Sequence, residues 1–482
     1  MRKRSKGIER HRRVSADFTN MVIMIKFVSL LPAFVLFVSS TAQAAETALD
    51  RYIKAPDSSF KFLLVKTVKV DGMTAQLLDM TSQTWRTEQE VNRTEWKHWV
   101  TIIRPSEVKS STALLFITGG ANDGKQPTSL DPMLQKVAKE TGSIVAELRM
   151  VPNQPLIFAG ETKGRTEDSL IAYTWDKFLR GGDERWPARL PMTKSAVRAM
   201  DAITQFCATD EGGKIKVDKF VVSGGSKRGW TTWTTAAVDK RVVAIIPLVI
   251  DVLNIDKSMA HHYQAYGFWA PSVGDYTAMN LHDWAGTKKY KELMKIEEPF
   301  EYRDRLTIPK LIVNSAGDQF FLPDSSQFYF KDLKGEKYLR YVPNSDHSLR
   351  GSDSQVTLLS YYQAFLRGDA RPKYSWTFEK DGSIKVKSQT KPKEVKVWAA
   401  TNPDGRDFRL QKIGPAYKST AVNDSGNGVY TGKVEKPAKG WTAYFVELTY
   451  DMPAGTPLKL TTAVRVIPDT LPSPAYQKKP IQ

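Results

Sequence analysis

The chain has 482 residues, more than one ordinary domain holds, and 41% of them are hydrophobic, enough for a large core. This composition excludes a disordered or fibrous protein. The formal charge is +18, of which residues 1–44 contribute +6 through eight Lys or Arg against two acids, leaving +12 for the rest. Such a basic chain can contact an anionic surface electrostatically. The sequence contains no compact basic and aromatic module of the kind that binds nucleic acids.

A single cysteine, Cys207, limits the covalent chemistry available to the chain. One thiol cannot form an internal disulfide, and it excludes a zinc site built from cysteines. Cys207 follows a helical pattern at 199–203, so we expect it to be a buried, small, apolar side chain. The sequence predicts no cofactor and no metal.

The first 44 residues have the pattern of a secretory signal peptide. Basic residues precede a mostly apolar run at 21–38, and an A-x-A motif follows at 42–44. The apolar part is shorter than the roughly 20 residues of a membrane span, although an uncleaved anchor is the alternative. The leader is long, and translation from Met21 or Met24 would shorten it. We therefore expect an exported protein, periplasmic or secreted, with no stable membrane span after cleavage.

The region 45–371 has the pattern of an α/β domain. Apolar stretches between 50 and 110 predict β-hairpins that lead into it. From 112 to 368 short apolar runs, which are typical of buried parallel strands, alternate with helical patterns. Strands separated by helices indicate a doubly wound, mostly parallel sheet. The main predicted helices are 132–141 and 191–209, and the predicted strands are 113–117, 144–148, 219–222, 242–250, 310–314 and 337–342.

Residues 251–305 interrupt this alternation and are rich in aromatic side chains. Two interpretations stay open. The segment can be a helical cap inserted over an active site, or it can be helices that pack on the scaffold. The pair His261 and His262 lies within it, without a carboxylate-rich pattern that would indicate a metal site, so we expect both histidines at the surface of the segment.

The character of the sequence changes after Pro372. Short alternating strands with turns at 381–382 and 404–405 predict an all-β sandwich of roughly 100 residues. Its predicted span is 372–470, followed by a tail at 471–482.

The segment 220–230 carries the strongest chemical motif. A strand runs into Ser226 between glycines, and a helical pattern follows, as in a nucleophile elbow. A serine at this strained turn needs small neighbours. The form here is G-x-S-x-x-G, because Arg228 stands where the usual second glycine would be, and Gly229 follows it. The motif alone is also compatible with an ordinary Gly-Ser turn at the end of a strand.

Two downstream residues complete a catalytic pattern. Asp318 and His347 each follow a predicted strand, 92 and 29 residues further along, and the chain order Ser, Asp, His is that of α/β-hydrolases. In this hypothesis His347 takes the proton of Ser226, and Asp318 fixes the imidazole tautomer. Asp251 is the alternative acid. Asp346 is too close in sequence to orient the ring of its neighbour.

Further residues are assigned around this triad. The oxyanion hole is predicted from the backbone N–H groups of Lys227, Gly120 and Ala121. Arg228 is a predicted substrate-binding residue. Glu167 and Asp168 are candidates to bind substrate, although a capped, salt-bridged helix start is the alternative for both.

Five segments together resemble the PhoPQ-activated pathogenicity-related proteins, a family to which an amoebal autocrine proliferation repressor is related; they are 171–175, 190–194, 224–233, 314–321 and 343–349. The resemblance covers about 50–470. It implies an α/β-hydrolase domain with an all-β C-terminal domain, regulation by a virulence-linked two-component system, and resistance to cationic antimicrobial peptides. The amoebal relative suggests dipeptidyl-peptidase-like action. The elbow is also similar to that of glucuronoyl esterases, which implies an ester substrate.

The sequence leaves two hypotheses about function. The first is an exported serine hydrolase that forms an acyl-enzyme, acting on peptides or, alternatively, as a carboxylesterase on sugar or acyl esters. The second is a binding or signalling protein on a hydrolase scaffold. A dipeptidyl substrate would need acidic residues to anchor its free amine, and Glu167 and Asp168 serve only if the fold brings them to the cleft.

Overall fold

The computed structural model describes residues 46–122 and 124–481. The predicted signal peptide, 1–44, lies outside the described residues. The strands are β1 (Lys61–Val70), β2 (Met73–Thr84), β3 (Glu95–Arg104), β4 (Thr112–Ile117), β5 (Val145–Leu148), β6 (Lys219–Gly225), β7 (Val242–Leu248), β8 (Lys310–Ser315), β9 (Lys337–Val342), β10 (Tyr374–Phe378), β11 (Ile384–Ser388), β12 (Glu394–Asn402), β13 (Lys418–Ala421), β14 (Val429–Gly432), β15 (Trp441–Tyr450), β16 (Leu458–Thr461) and β17 (Arg465–Ile467). The α-helices are α1 (Ala48–Lys54), α2 (Pro132–Thr141), α3 (Glu167–Gly181), α4 (Arg189–Cys207), α5 (Lys227–Val238), α6 (Ile255–Tyr266), α7 (Gly274–Ala278), α8 (Lys288–Glu297), α9 (Ser354–Arg367) and α10 (Leu410–Ile413).

One large mixed sheet forms the centre of the molecule. Its strand order is β1-β2-β3-β5-β4-β6-β7-β8-β9-β16-β15-β12-β13, with β17 also paired to β15. The strands from β5 to β9 pair in parallel, whereas β1, β2 and β3 enter as antiparallel strands. The parallel strands are almost wholly buried, which explains their continuous apolar runs. The predicted leading hairpins and α/β alternation are confirmed.

The parallel strands bring three loops to one edge of the sheet. Strands β6, β8 and β9 end at Gly225, Ser315 and Val342, immediately before the segments that hold the predicted catalytic residues. Because the carboxyl ends of parallel strands meet at the same edge, these segments converge there.

The segment 251–305 folds mainly as helices between β7 and β8. It contains α6, α7 and α8, together with 3-10 turns at Pro271–Val273, Leu281–Trp284 and Pro299–Tyr302. His262, predicted at the surface of this segment, is buried and accepts a hydrogen bond from the backbone N–H of Ala270 at 3.1 Å.

The C-terminal strands form two layers, and one layer continues the central sheet. Strands β12, β13, β15, β16 and β17 extend that sheet because β16 pairs with β9. Strands β10, β11 and β14 form a separate three-stranded sheet. Its buried Ile384 and Val386 belong to the same apolar cluster as Val397 and Val446 of the extended sheet. The C-terminal region therefore contains short strands, as predicted. Five of them join the central sheet directly. The sandwich span of 372–470 stays a prediction.

A buried ion pair fastens the two regions where β9 meets the C-terminal strands. Arg340 of β9 pairs with Glu447 of β15, and their side chains are 1% and 3% exposed. Arg340 also pairs with Asp353 at 2.7 Å, and the Thr461 hydroxyl accepts a hydrogen bond from the backbone N–H of Tyr341 at 2.9 Å. These contacts supplement the short β16–β9 pairing.

Helices long and apolar enough to traverse a bilayer do not occur in the part of the chain that the structure describes.

Substituting one partner of the Arg340–Glu447 pair should destabilise the whole fold. In Arg340→Met the Glu447 carboxylate is left buried without its cation, so we expect the free energy of unfolding in urea to fall by about 3–5 kcal/mol. Adding Glu447→Met removes this unpaired buried charge and should restore part of the lost free energy of unfolding. A single variant as stable as the wild type would show that the pair does not hold the two regions together.

Candidate active site

Ser226 occupies a strained turn between β6 and α5. Its backbone angles are φ 56° and ψ −123°, in a region that non-glycine residues rarely adopt. A Cβ at Gly224 would lie 2.8 Å from the Cβ of Arg228, and a Cβ at Gly229 would lie 2.9 Å from the carbonyl oxygen of Leu248. The glycine displaced by one position in the motif is therefore the one that lets α5 approach the end of β7.

Asp318 and His347 are in contact. Oδ2 of Asp318 is 2.7 Å from Nδ1 of His347, and Oδ1 accepts a hydrogen bond from the backbone N–H of Phe320 at 2.7 Å. The Nε2 atom of His347 is sealed from solvent without a hydrogen-bond partner among the described residues. The imidazole thus has one nitrogen oriented by a carboxylate and the other available for a reacting group.

Two neighbouring depressions meet at Ser226. On one side Ser226 and His347 line an open cleft together with Gly119 and Arg228. On the other side Ser226 lines a partly enclosed cavity whose wall is mainly aromatic and aliphatic. We call the second one the apolar cavity; its lining includes Trp175, Trp230, Met259, Tyr276, Leu281, Tyr290, Phe320 and Phe321. Several of these come from the helical segment 251–305.

The alternative acids are engaged elsewhere. Each carboxyl oxygen of Asp251 accepts a hydrogen bond at 2.6 Å, one from Tyr329 and one from Tyr341. Burial raises the pKa of Asp251 to about 8, in spite of these two hydrogen bonds. Asp346 binds the backbone N–H and the hydroxyl of Ser348. Asp318 is the carboxylate that the structure places against His347.

A cluster of two cations and two carboxylates lies directly beside Ser226. Nζ of Lys227 is 2.8 Å from Asp168 and 3.2 Å from Glu167, and the Arg228 guanidinium binds Glu167 at 2.6 and 2.9 Å. The structure therefore brings Glu167 and Asp168 to the elbow, where both are neutralised by basic partners. Both residues also lie at the start of helix α3, in agreement with the alternative interpretation as a salt-bridged helix start.

Glu167 is held tightly in this cluster. Its backbone has φ 48°, and its N–H donates to Oε1 of Gln154 at 2.7 Å while its carboxylate accepts from Nε2 of Gln154 at 2.7 Å. Burial opposes ionisation, but the hydrogen bonds and charge of Arg228 outweigh it and hold the pKa of Glu167 at about 2. Glu167 is consequently ionised at neutral pH.

The predicted oxyanion residues lie on two segments: Lys227 directly follows Ser226, whereas Gly120 and Ala121 belong to the loop after β4. Lys227 is the first residue of α5, where helical N–H groups have no intrahelical acceptor. Gly119 lines the cleft, whereas Gly120 and Ala121 are more exposed, with Gly120 at φ 136°. The Arg228 guanidinium lies against Gly119 so closely that a side chain at 119 would overlap it, and its Nε donates to the carbonyl of Val151. Arg228 thus braces the loop that supplies the predicted donors.

Several residues that contribute to the candidate site could not be identified from the sequence. The Gln319 side chain accepts a hydrogen bond from the backbone N–H of His347 at 3.0 Å, and Tyr276 donates to Asp168 at 2.9 Å. Arg189 lines the apolar cavity and lies 3.5 Å from Glu297. Each of these contacts joins segments far apart in the chain, and none follows a recognisable spacing, although Gln319 lies within the 314–321 segment.

The strand order and the turn at Ser226 together define the class of fold. A run of parallel strands from β5 to β9 with a strand-turn-helix elbow after β6, and further polar loops after β8 and β9, is the α/β-hydrolase arrangement. The sheet as a whole is mixed rather than mostly parallel as predicted, because antiparallel strands extend it at both ends. Within that class, residues 49–409 match the PhoPQ-activated pathogenicity-related protein family, and the chain belongs to it.

Known proteins similar to this chain include one relative of high coverage. Autocrine proliferation repressor protein A of Dictyostelium discoideum is 37% identical over 466 residues, covering 91% of this chain and 94% of the relative. Among solved structures, an acetyl xylan esterase from Paenibacillus sp. R4 is 13% identical with a TM-score of 0.46, covering 67% of this chain and 96% of the esterase. An acylaminoacyl peptidase from Pyrococcus horikoshii is 14% identical with a TM-score of 0.38, covering 64% of this chain and 50% of the peptidase. The class of fold is assigned here from the strand order.

The low pKa of Glu167 predicts a pH-dependent contribution to stability. The pKa is lowered from 4.5 to about 2 in the folded protein, so the stabilisation is present above about pH 4.5 and is lost as the pH falls toward 2. Because the Glu167 side chain is 39% exposed, we expect Glu167→Gln to cost only about 1 kcal/mol at pH 7. Urea unfolding at several pH values should show this difference shrinking below about pH 4.5. Glu88→Gln, at an exposed position, is the control and should show no such trend. A pH-independent difference would contradict the assignment.

Proposed function

We propose that the protein is a serine hydrolase in which Ser226 is the nucleophile, His347 the general base and Asp318 the orienting acid. The observation that carries this proposal is the convergence at one sheet edge of the strained Ser226 turn and a histidine whose Nδ1 is 2.7 Å from Asp318 and whose Nε2 is unpartnered among the described residues. This is the set of parts that nucleophilic acyl transfer needs.

The proposed reaction steps follow from the transfer of one proton between these groups. His347 Nε2 takes the proton of Ser226 Oγ as the oxygen attacks the substrate carbonyl, and the tetrahedral intermediate then expels the leaving group, which receives that proton. A water molecule then attacks the acyl-enzyme, with His347 again taking and returning the proton, and the carboxylic acid is released. Asp318 keeps the imidazole in the tautomer with hydrogen on Nδ1 and stabilises the imidazolium.

The negative oxygen of the intermediate is assigned to backbone donors. The N–H of Lys227 at the start of α5 and an N–H of the loop 118–121 are the proposed pair, with Gly120 and Ala121 as the candidates in the loop. Arg228 contributes by bracing that loop through Gly119 and Val151.

The surroundings of Ser226 favour an uncharged, apolar acyl group. The wall of the apolar cavity is largely aromatic and aliphatic, and side chains of the helical segment 251–305 form part of it. We propose that this segment is the cap. Glu167 and Asp168 are already paired with Arg228 and Lys227, so neither is free to anchor a substrate amine. We therefore assign an ester, or an amide with an uncharged acyl part, in preference to a dipeptide with a free N-terminus.

The cellular setting is proposed from the N-terminal pattern and the family. The signal-peptide pattern of 1–44 fits a protein that acts in the periplasm or outside the cell. Membership of the PhoPQ-activated pathogenicity-related family supports a role in virulence, including tolerance of antimicrobial peptides. The net basic charge supports weak contact with an anionic envelope surface.

A second candidate function is signalling without catalysis. It is favoured by one observation, the 37% identity to a protein named as an autocrine proliferation repressor. The two candidates differ in whether Ser226 reacts.

A fluorophosphonate probe should label the wild-type protein covalently, because an activated serine attacks phosphorus as it would a carbonyl. We expect Ser226→Ala to abolish the labelling, as measured by gel fluorescence and intact mass. Ser223→Ala is the matched control: Ser223 lies three residues earlier, on β6, and its hydroxyl donates to the carbonyl of Ile246 at 2.7 Å, so labelling should persist. A wild-type protein that stays unlabelled would favour the signalling candidate.

The role of Asp318 can be separated from that of its neighbour Asp346. In Asp318→Asn the amide would donate to Nδ1 and select the wrong imidazole tautomer, so the rate of p-nitrophenyl ester hydrolysis should fall by a factor on the order of 10³–10⁴. Asp346→Asn should change the rate by less than about threefold, because Asp346 binds only Ser348. Equal losses in the two variants would refute the assignment of Asp318.

A further inference from the structure

The apolar cavity contains a buried cation that the proposed mechanism does not use. Arg189, at the start of α4, lines this cavity together with Ser226, and its side chain is 4% exposed. Its guanidinium stacks on Trp230, 3.8 Å from the centre of the ring. A charged group with five donors in such an apolar wall requires partners.

Arg189 lacks hydrogen-bond acceptors rather than a counter-charge. Its Nε lies 3.5 Å from Oε1 of Glu297, close enough for charge compensation but beyond hydrogen-bond length. Nε and NH1 are sealed from solvent and have no hydrogen-bond partner among the described residues. Glu297 itself accepts a hydrogen bond from Trp175, which also lines the cavity.

The ligand that satisfies this site is an acceptor without charge. Glu297 already balances Arg189, so a carboxylate would bring a second negative charge close to Glu297. A neutral carbonyl oxygen in the cavity would accept a hydrogen bond from the part of the Arg189 guanidinium that lines it, at no such cost. The aromatic and aliphatic wall between Ser226 and Arg189 suits an apolar chain leading to that carbonyl.

We infer that the apolar cavity is the acyl subsite of the proposed hydrolase, and that Arg189 selects acyl groups with an apolar body and a neutral carbonyl oxygen at the far end. Ketone, ester and amide carbonyls share this chemistry. The inference rests on the proposed function, since it assigns the substrate class of the same Ser226 site. Arg189 is then a specificity-determining residue that touches the substrate away from the bond that is cleaved.

The test compares p-nitrophenyl esters of straight-chain acids that end in a methyl ketone, an isopropyl group or a carboxylate. Each end group is used at three or more chain lengths with the full-length mature protein. Burial raises the pKa of Glu297 to about 7, so assays near pH 8.5 keep it ionised. At the length that reaches Arg189, kcat/KM for the ketone should exceed that for the isopropyl ester roughly tenfold, as expected for one hydrogen bond to a charged group.

The paired variant Arg189→Met with Glu297→Gln removes both charges, so that neither is left alone, and keeps an acceptor for Trp175. It should lose the preference for the ketone while retaining fluorophosphonate labelling. Arg371→Met, at an arginine paired with Glu336 outside the cavity, is the control and should keep the preference.

The outcomes separate this inference from the proposed function. Equal rates for the ketone and isopropyl esters at every length, with Ser226 still labelled, would overturn the subsite and leave the hydrolase intact. A preference for the carboxylate, or a ketone preference that survives in the paired variant, would also overturn it. Absence of labelling in the wild type would refute the proposed function itself. If the paired variant fails to fold, the wild-type series decides alone.

Discussion

The left-handed backbone of Ser226 forces β6 and α5 so close together that positions 224 and 229 have no room for a side chain. This constraint sets the geometry of everything around it. It points the serine out of the sheet edge and starts α5 with Lys227 and Arg228, so two cations necessarily flank the nucleophile. The strain is sustained because the parallel strands on either side of β6 are buried and fixed.

The two cations then determine what else must be present. Unpaired ammonium and guanidinium groups at 8% and 11% exposure would be costly, and α3 begins at the place where Glu167 and Asp168 can neutralise them. Two consequences follow for substrate recognition. The carboxylates that could have bound a substrate amine are paired within the protein, and one of the two depressions beside Ser226, the apolar cavity, is lined mainly by aromatic and aliphatic side chains. For the proposed hydrolase, this charge pairing restricts the class of substrate more than the proposed triad does.

The sequence was sufficient to predict features that depend on local pattern. Continuous apolar runs predicted the strands of the parallel sheet, and the turn residues before and after them located Ser226, Asp318 and His347, of which the last two are now seen in contact. The sequence shows that Arg228 replaces the second glycine of the usual elbow motif, but it does not show why. The reason lies in tertiary contacts: Gly229 closely approaches Leu248, and the Arg228 guanidinium lies against Gly119. The same holds for Arg189, which lies just before the predicted helix 191–209 and belongs to no motif. The link between β16 and β9 was missed because an all-β composition does not indicate which edge a strand will join.

That link explains why an α/β-hydrolase sheet would carry an all-β extension. The extension holds both loops that follow β8 and β9. The backbone N–H of Leu410 donates to the carbonyl of Gly317 at 2.9 Å, directly before Asp318, and a side chain at 317 would clash with this contact. Asn344, in the loop of His347, exchanges two hydrogen bonds of 2.9 Å with the backbone of Tyr417.

Arg406 reaches the same region and binds Asp324 at 2.6 Å, in the loop that carries Asp318. Loops at the ends of strands are ordinarily the least constrained part of such a sheet. Here the segment 406–417 fixes the acid loop and the histidine loop relative to each other, so the 2.7 Å contact between Asp318 and His347 is built before any substrate arrives. Preorganisation of this kind lowers the reorganisation needed in the transition state. In the proposed hydrolase the C-terminal region therefore positions the two loops that carry Asp318 and His347.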